Sequence, residues 1–102
     1  MNTTGFIRGY MAKSMNGLEY LDVVVKALST EFGRKVIVQN ISKDDIRIVM
    51  GNYEVITDIK YISELSKPYG IDKFILQSLA KSGFKFDISR SQYIQYCFGV
   101  YN

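Results

Sequence analysis

The sequence predicts an α+β fold built of two βαββ motifs in tandem, with antiparallel strands packed against two main helices. Three observations carry that expectation. Short runs alternate apolar and polar residues, as in "IRIVM" at 46–50, which is the period of a half-buried strand. Two longer stretches, 18–32 and 71–82, space their apolar residues as a helix does, and each is followed by a glycine, Gly33 or Gly83. Finally, "MGNYE", Met50 to Glu54, returns 48 positions later as "FGVYN", Phe98 to Asn102.

Taken in order, residues 5–12, "GFIRGYMA", mix aromatic and aliphatic side chains at strand-like spacing around Gly9 and read as a first strand. Leu18, Leu21, Val25, Leu28 and Phe32 then share one helical face. Asn16, three residues before Glu19, makes a capping-box pattern at the start of that helix, and Gly33 stops it. The β-branched run "KVIVQNI" at 35–41 and the alternating run at 46–50 read as two strands. The polar residues between them, "SKDD", supply the turn of an antiparallel hairpin.

The joint that follows has its own chemistry. Gly51-Asn52 suits a two-residue type II′ turn, which sets Met50 opposite Tyr53 and Ile48 opposite Val55 and leaves one apolar hairpin face. On the other face Arg47 comes diagonally close to Glu54. The run 53–62 continues as a strand, with a short helix from Ile59 as the competing reading. Pro68 disfavours helix at Lys67, and "KPYG" forms a loop before the second helix, whose apolar positions are Ile71, Phe74, Ile75 and Leu79. "FKFDI" and "SQYIQYCFGVY" then read as a second pair of strands separated by a turn at Ser89 to Ser91. In the last of these, Ile94, Tyr96, Phe98 and Val100 share one face and Tyr93, Gln95, Cys97, Gly99 and Tyr101 the other.

Laid over one another, the halves 5–52 and 53–102 correspond in element order and in several identities. Gly17 answers Gly70, Gly33 answers Gly83, "KVIV" answers "KFDI", and Ile46, Ile48, Met50, Gly51 and Tyr53 answer Ile94, Tyr96, Phe98, Gly99 and Tyr101. The helix stripes diverge after Leu21 and Phe74. A chain of 102 residues is the usual size of one compact domain, so the expectation is a single domain, 1–102, containing two repeats.

Composition narrows the chemistry. The chain is 47% hydrophobic and 23% charged, which is ordinary globular usage. Its net charge of +3 is spread along the chain without a basic block, which permits nucleic-acid binding but does not point to it. There is no histidine, the commonest general acid-base and transition-metal ligand, and Cys97 is the only cysteine. Catalysis would have to fall to carboxylates, Lys, Tyr or that thiol, and none of them forms a recognisable constellation. The expectation is therefore a protein that is not an enzyme and needs neither metal nor cofactor. No apolar run is long enough to span a bilayer and the N-terminal stretch lacks a signal peptide's apolar core, so an intracellular location and no membrane partner are expected.

"GFIRGY" and "KSGFKF" place Arg8, Lys81 and Lys85 beside Phe6, Tyr10, Phe84 and Phe86, a mixture that can stack bases and hold phosphates; ordinary strands with aromatic inner positions and solvated cations explain it better. Single glycines at the two helix starts do not make a phosphate-cradling loop. The eight tyrosines carry more weight, because so small a core cannot bury them all with their hydroxyls satisfied. Some must face a surface or a groove, where tyrosine favours protein contacts.

A short chain rich in Ile, Lys and Tyr, without His or Trp, and carrying a βαββ repeat marked by Gly17, Gly70, Gly51 and Gly99 resembles the small orphan proteins of filamentous viruses that infect hyperthermophilic archaea. That resemblance implies a viral accessory protein acting inside a host cell and carries over no catalytic residues. The resulting expectation is an interaction module that binds a peptide or partner segment as an added strand in the seam between the repeats. The residues expected to line the seam are Arg8, Tyr10, Tyr61, Tyr93, Gln95 and Tyr101. The alternative is a nucleic-acid-binding accessory protein.

Overall fold

The computed structural model describes residues 3–99, with side chains from Ile7 onward. The order of elements is α1 (Thr3–Ser14), α2 (Gly17–Phe32), β1 (Val36–Asn40), β2 (Asp45–Met50), β3 (Tyr53–Asp58), α3 (Ile59–Glu64), α4 (Gly70–Lys81) and α5 (Gln92–Cys97). The fold is α+β, as expected; among the described residues its strands form one three-stranded sheet.

That sheet is an antiparallel meander in the order β1-β2-β3. The central hairpin forms with the expected register: Met50 lies opposite Tyr53 and Ile48 opposite Val55. Gly51 takes φ 60, the left-handed position that opens a type II′ turn. Arg47 reaches Glu54 at 3.1 Å on the outer face. Because side chains alternate across a strand, this register puts Val36, Ile46, Ile48, Met50 and Val55 on one buried face. β3 ends at Asp58, whose carboxylate accepts a hydrogen bond from Tyr61 N and so caps α3. The helical reading from Ile59 is thus the one realised.

The helices cover the buried face of the sheet, with α2 against β1 and α4 against β3. The capping box of α2 is complete: Glu19 N donates to Asn16 Oδ1 and Asn16 N to Glu19 Oε1, while Gly33 ends the helix in the left-handed conformation. Its inward stripe is Tyr20, Leu21, Val24, Val25 and Leu28, which keeps the expected Leu21, Val25 and Leu28, with Phe32 half-buried beside them; Leu18 alone of the expected face is exposed. α4 buries Ile71, Ile75, Leu76 and Leu79 in the same core, together with Asp72.

Three expected strands are corrected. Residues 5–12 lie in α1, because Arg8, Met11, Ala12 and Met15 recur at i, i+3, i+4 and i+7 and turn toward the core. That stripe is hidden from a hydropathy reading because its first member is an arginine. Residues 84–88 are without regular structure: Phe84 is buried and Phe86 half-buried in alternation, but among the described residues no neighbouring strand pairs with their backbone. The expected strand from 91 is instead α5, started by Ser91, whose hydroxyl accepts from Ile94 N, and buried through Ile94 and Cys97 at i, i+3. Val100 and Tyr101, assigned to that strand, lie outside the described residues. The halves are therefore helix-helix-strand-strand and strand-helix-helix-helix. A tandem βαββ duplication is not shown, and the seam between repeats loses its basis.

The paired glycines Gly17 and Gly70 have separate local causes. A Cβ on Gly17 would lie 2.5 Å from Ser63 Oγ, and one on Gly70 would lie 2.4 Å from Leu65 O, an atom that cannot rotate away. Gly70→Ala is expected to destabilise the fold by about 1–3 kcal/mol through this overpacking, read as a lower urea midpoint with unchanged m-value. An unchanged midpoint would show that the Leu65 backbone yields freely.

Candidate functional site

Two side-chain clusters stand out, and the expected site residues are divided between them and the bare surface. The first cluster surrounds Arg8. Its side chain enters the core from α1 and is only 5% exposed, against an Asp72 that is fully buried. Nη1 and Nη2 of Arg8 each donate to a separate oxygen of Asp72 at 2.8 Å, the two-pronged geometry that guanidinium and carboxylate share. Tyr93 Oη donates to Asp72 Oδ2 as well. Arg8 Nη1 also donates to Tyr20 Oη at 3.3 Å, and that hydroxyl donates onward to Lys67 O at 3.2 Å.

The rings of Tyr20, Tyr69 and Tyr93 surround the guanidinium, with its carbon 5.5, 5.0 and 5.9 Å from their centroids. These are cation–π distances, at which the negative face of each ring attracts the buried charge. Tyr69 is held with φ 62, in the left-handed region that a non-glycine residue enters only under constraint. Its buried hydroxyl has no hydrogen-bond partner among the described residues.

Burial sets the acid-base character of this cluster. Burial works against the Arg8 charge, but the Asp72 carboxylate and its hydrogen bonds outweigh it, so the guanidinium holds its proton more firmly than usual. The Tyr69 hydroxyl is pushed up to about 12, first by burial. Tyr93 is pushed further in the same direction by burial and by the Asp72 charge. Burial, and next the Asp72 charge, also raises the Cys97 thiol, which leaves it protonated and unreactive at neutral pH.

The second cluster is a groove. The segment after α4 lays Phe84 and Phe86 against Phe32 at the end of α2 and against Phe98 after α5. Phe84 meets Phe32 edge-on at 5.0 Å, and Phe86 lies 6.1 Å from Phe98 between centroids. Beside them is an open cavity of about 460 Å³, floored by Phe84, Phe86 and Phe98, walled by Gln77 and Ala80 of α4, and bordered by Lys85 and Ile88. Among the described residues no carboxylate lines it. Asp87, which stands between Phe86 and Ile88 in the chain, accepts hydrogen bonds from Ser89 N and Oγ, and these hold its carboxyl below the usual range. α5 is fixed over this region by Glu31, which accepts from Arg90 Nε at 2.6 Å and from Ser91 Oγ at 3.0 Å.

Of the six residues expected to form a partner site, Arg8 and Tyr93 come together, but in the core on Asp72 rather than on a surface. Tyr10 is 68% exposed on α1. Tyr61 is exposed on α3 with its ring edge-to-face on Phe74. Gln95 turns its amide to Ser89 O at 3.2 Å. Tyr101 lies outside the described residues. The expected set is thus not one site. Sequence reasoning missed Asp72, a lone carboxylate in an apolar stripe whose inward direction was the available signal. It saw Phe84, Phe86 and Lys85 together but assigned them to an ordinary strand.

A second depression, of about 560 Å³, is lined by Asp44, Asp45, Asp58, Ile59 and Lys60, but two of its carboxylates are engaged, Asp45 with Ser42 and Asp58 as the α3 cap. Among the described residues no cluster of His, Cys, Asp or Glu is placed to hold a metal ion, and no helix is long and apolar enough to cross a membrane. No family model matches the chain, and neither the curated proteins nor the solved structures give a match.

The tyrosine cluster generates a pH dependence. Above about pH 10, an unfolded tyrosine releases its proton while folded Tyr69 and Tyr93 keep theirs, so the folded state binds more protons and stability falls as pH rises. The urea midpoint is expected to drop from pH 9 to pH 11. Tyr69→Phe, which removes the unpartnered hydroxyl, is expected to stabilise the fold by about 1 kcal/mol at pH 7 and to flatten that alkaline decline. A destabilised Tyr69→Phe would mean that the hydroxyl has a partner after all.

Proposed function

We propose that the protein is a non-enzymatic interaction module that captures a peptide or partner segment in the phenylalanine-floored groove, consistent with the accessory role the viral resemblance implies. The observation that supports this reading is an open apolar cavity of about 460 Å³, within the usual range for ligand sites, whose floor is three aromatic rings.

Charge selects the occupant. Lys85 borders the cavity, Lys81 stands exposed one residue beyond Ala80, and Asp87, between Phe86 and Ile88 in the chain, is turned onto Ser89. A segment with one or two large apolar side chains flanked by Asp or Glu complements that border. Stacked bases fit less well, because the Phe84 ring is already engaged by Phe32, Tyr53 and Phe86 and by the Arg34 guanidinium 5.5 Å from its centroid. Base stacking needs a free ring face.

Selection from a random peptide display library, followed by fluorescence anisotropy on the enriched peptides, tests this reading. Enrichment of aromatic or aliphatic residues beside Asp and Glu is expected. Ala80→Arg, at an exposed helix position where arginine keeps the helix, fills the groove and is expected to weaken binding tenfold or more, about 1.4 kcal/mol. Lys85→Glu is expected to weaken it less and to reduce its salt dependence. Peptides bound equally by Ala80→Arg would place the site elsewhere. Failure to enrich any peptide, with binding to single-stranded nucleic acid that falls steeply with salt, would transfer the reading to nucleic acid.

A further inference from the structure

The walls of the Arg8 cluster contain nothing from α1. Tyr20 comes from α2, Tyr69 from the loop before α4, Asp72 from α4 and Tyr93 from α5. Two of these side chains also have partners other than Arg8: Tyr93 Oη donates to Asp72 and Tyr20 Oη donates to Lys67 O. Three aromatic rings around a carboxylate are a receptor for a cation, and the two-pronged carboxylate geometry selects a planar guanidinium over an ammonium. Tyr69 adds a buried hydroxyl that no described residue satisfies, a free polar atom in the wall of the cluster.

Apart from Arg8, α1 packs on the core through the half-buried Met11 and Ala12. Among the described residues it enters none of the closely packed pairs of elements, and only Met15 and Asn16 join it to α2. Beyond Arg8, Ser66 Oγ donates to Ala12 O at 3.5 Å. Ile7 and Tyr10 on its outer side face solvent.

We propose that the cage of Tyr20, Tyr69, Tyr93 and Asp72 is a binding site for an arginine side chain, which Arg8 fills in cis and which takes an arginine presented by another polypeptide when α1 is withdrawn. The incoming guanidinium replaces Arg8 on both Asp72 oxygens and between the same rings. A vacated cage leaves a buried carboxylate without its cation, and that cost drives re-occupation. Two sources share this chemistry: the α1 of a second copy, exchanged about the two-residue linker, and an arginine-bearing segment of a different protein. The inference is independent of the phenylalanine groove.

Arg8→Ala in the full chain empties the cage, and methylguanidinium at millimolar concentration is the probe. Its addition is expected to raise the melting temperature of the variant saturably, by about 4 °C or more. Methylammonium at equal ionic strength is expected not to do so, and wild type not to respond. Should Arg8→Ala be unfolded in plain buffer, recovery of its helical circular dichroism on titration is the supporting result. No response, or an equal response to both cations, overturns the proposal.

Two further arms complete the test. In wild type, the amides of residues 8–14 are expected to exchange with solvent faster than those of α2, through an opening of α1 alone; exchange at the global rate would show that α1 never leaves the cage and would overturn the in-trans site. A peptide of residues 1–16 is compared with Gly-Arg-Gly on Arg8→Ala. Tighter binding of the longer peptide supports exchange between copies, equal binding supports any exposed arginine, and binding of neither overturns the proposal.

Discussion

A charge in the interior is the constraint around which this chain is organised. Arg8 and Asp72 are both out of water, and an ion pair in that position is tolerated only if each oxygen and each N–H finds a partner. Removing one member of such a pair costs on the order of 3–5 kcal/mol, because the other is left charged and dry. Both Asp72 oxygens are met, and five segments come to one point: α1 with Arg8, α2 with Tyr20, the loop with Tyr69, α4 with Asp72 and α5 with Tyr93. The close approaches of Gly17 to Ser63 and of Gly70 to Leu65 separately set how near α2 and α4 come to the α3 turn.

The rest of the core is hydrophobic and less particular. The meander fixes one apolar face through its register, and α2 and α4 cover it with Leu, Val and Ile that interdigitate without polar atoms. The apolar layer gives stability without choosing where α1 or α5 must sit. The polar cluster supplies that choice for α1, and Glu31, through Arg90 and Ser91, supplies it for the start of α5. Buried hydrogen-bonded charge here specifies position, whereas apolar burial supplies the bulk of the driving force.

The placement of α5 also creates the groove. Had residues 84–88 and the segment from 91 paired as strands, Phe84, Phe86 and Phe98 would have been spread over a sheet face. With α5 helical, Phe98 is returned to Phe86 and the rings gather at one end of α4 with a cavity beside them. The basic border of that cavity is local. The net charge of +3, dispersed along the chain, would not have indicated it.

Local chemistry determined what the sequence could announce by itself. The α2 cap at Asn16 and Glu19, the stop at Gly33, the Gly51-Asn52 turn and the register it imposes depend on residues within a few positions of one another, so their signals survive in one dimension. Elements whose conformation depends on distant partners were decided only in three dimensions. α1 is amphipathic only once Arg8 counts as an inward residue, and it is inward only because Asp72, 64 positions away, receives it. "SQYIQYC" satisfies both a period of two and a helical spacing over so short a run; the helix wins because Ser91 caps it and because Ile94 and Cys97 then reach the core while Tyr93 reaches Asp72. The recurrence of "MGNYE" in "FGVYN" belongs to the same class: Met50 to Glu54 form a hairpin turn, whereas Phe98 and Gly99 follow α5 and the rest of the second pentapeptide lies outside the described residues.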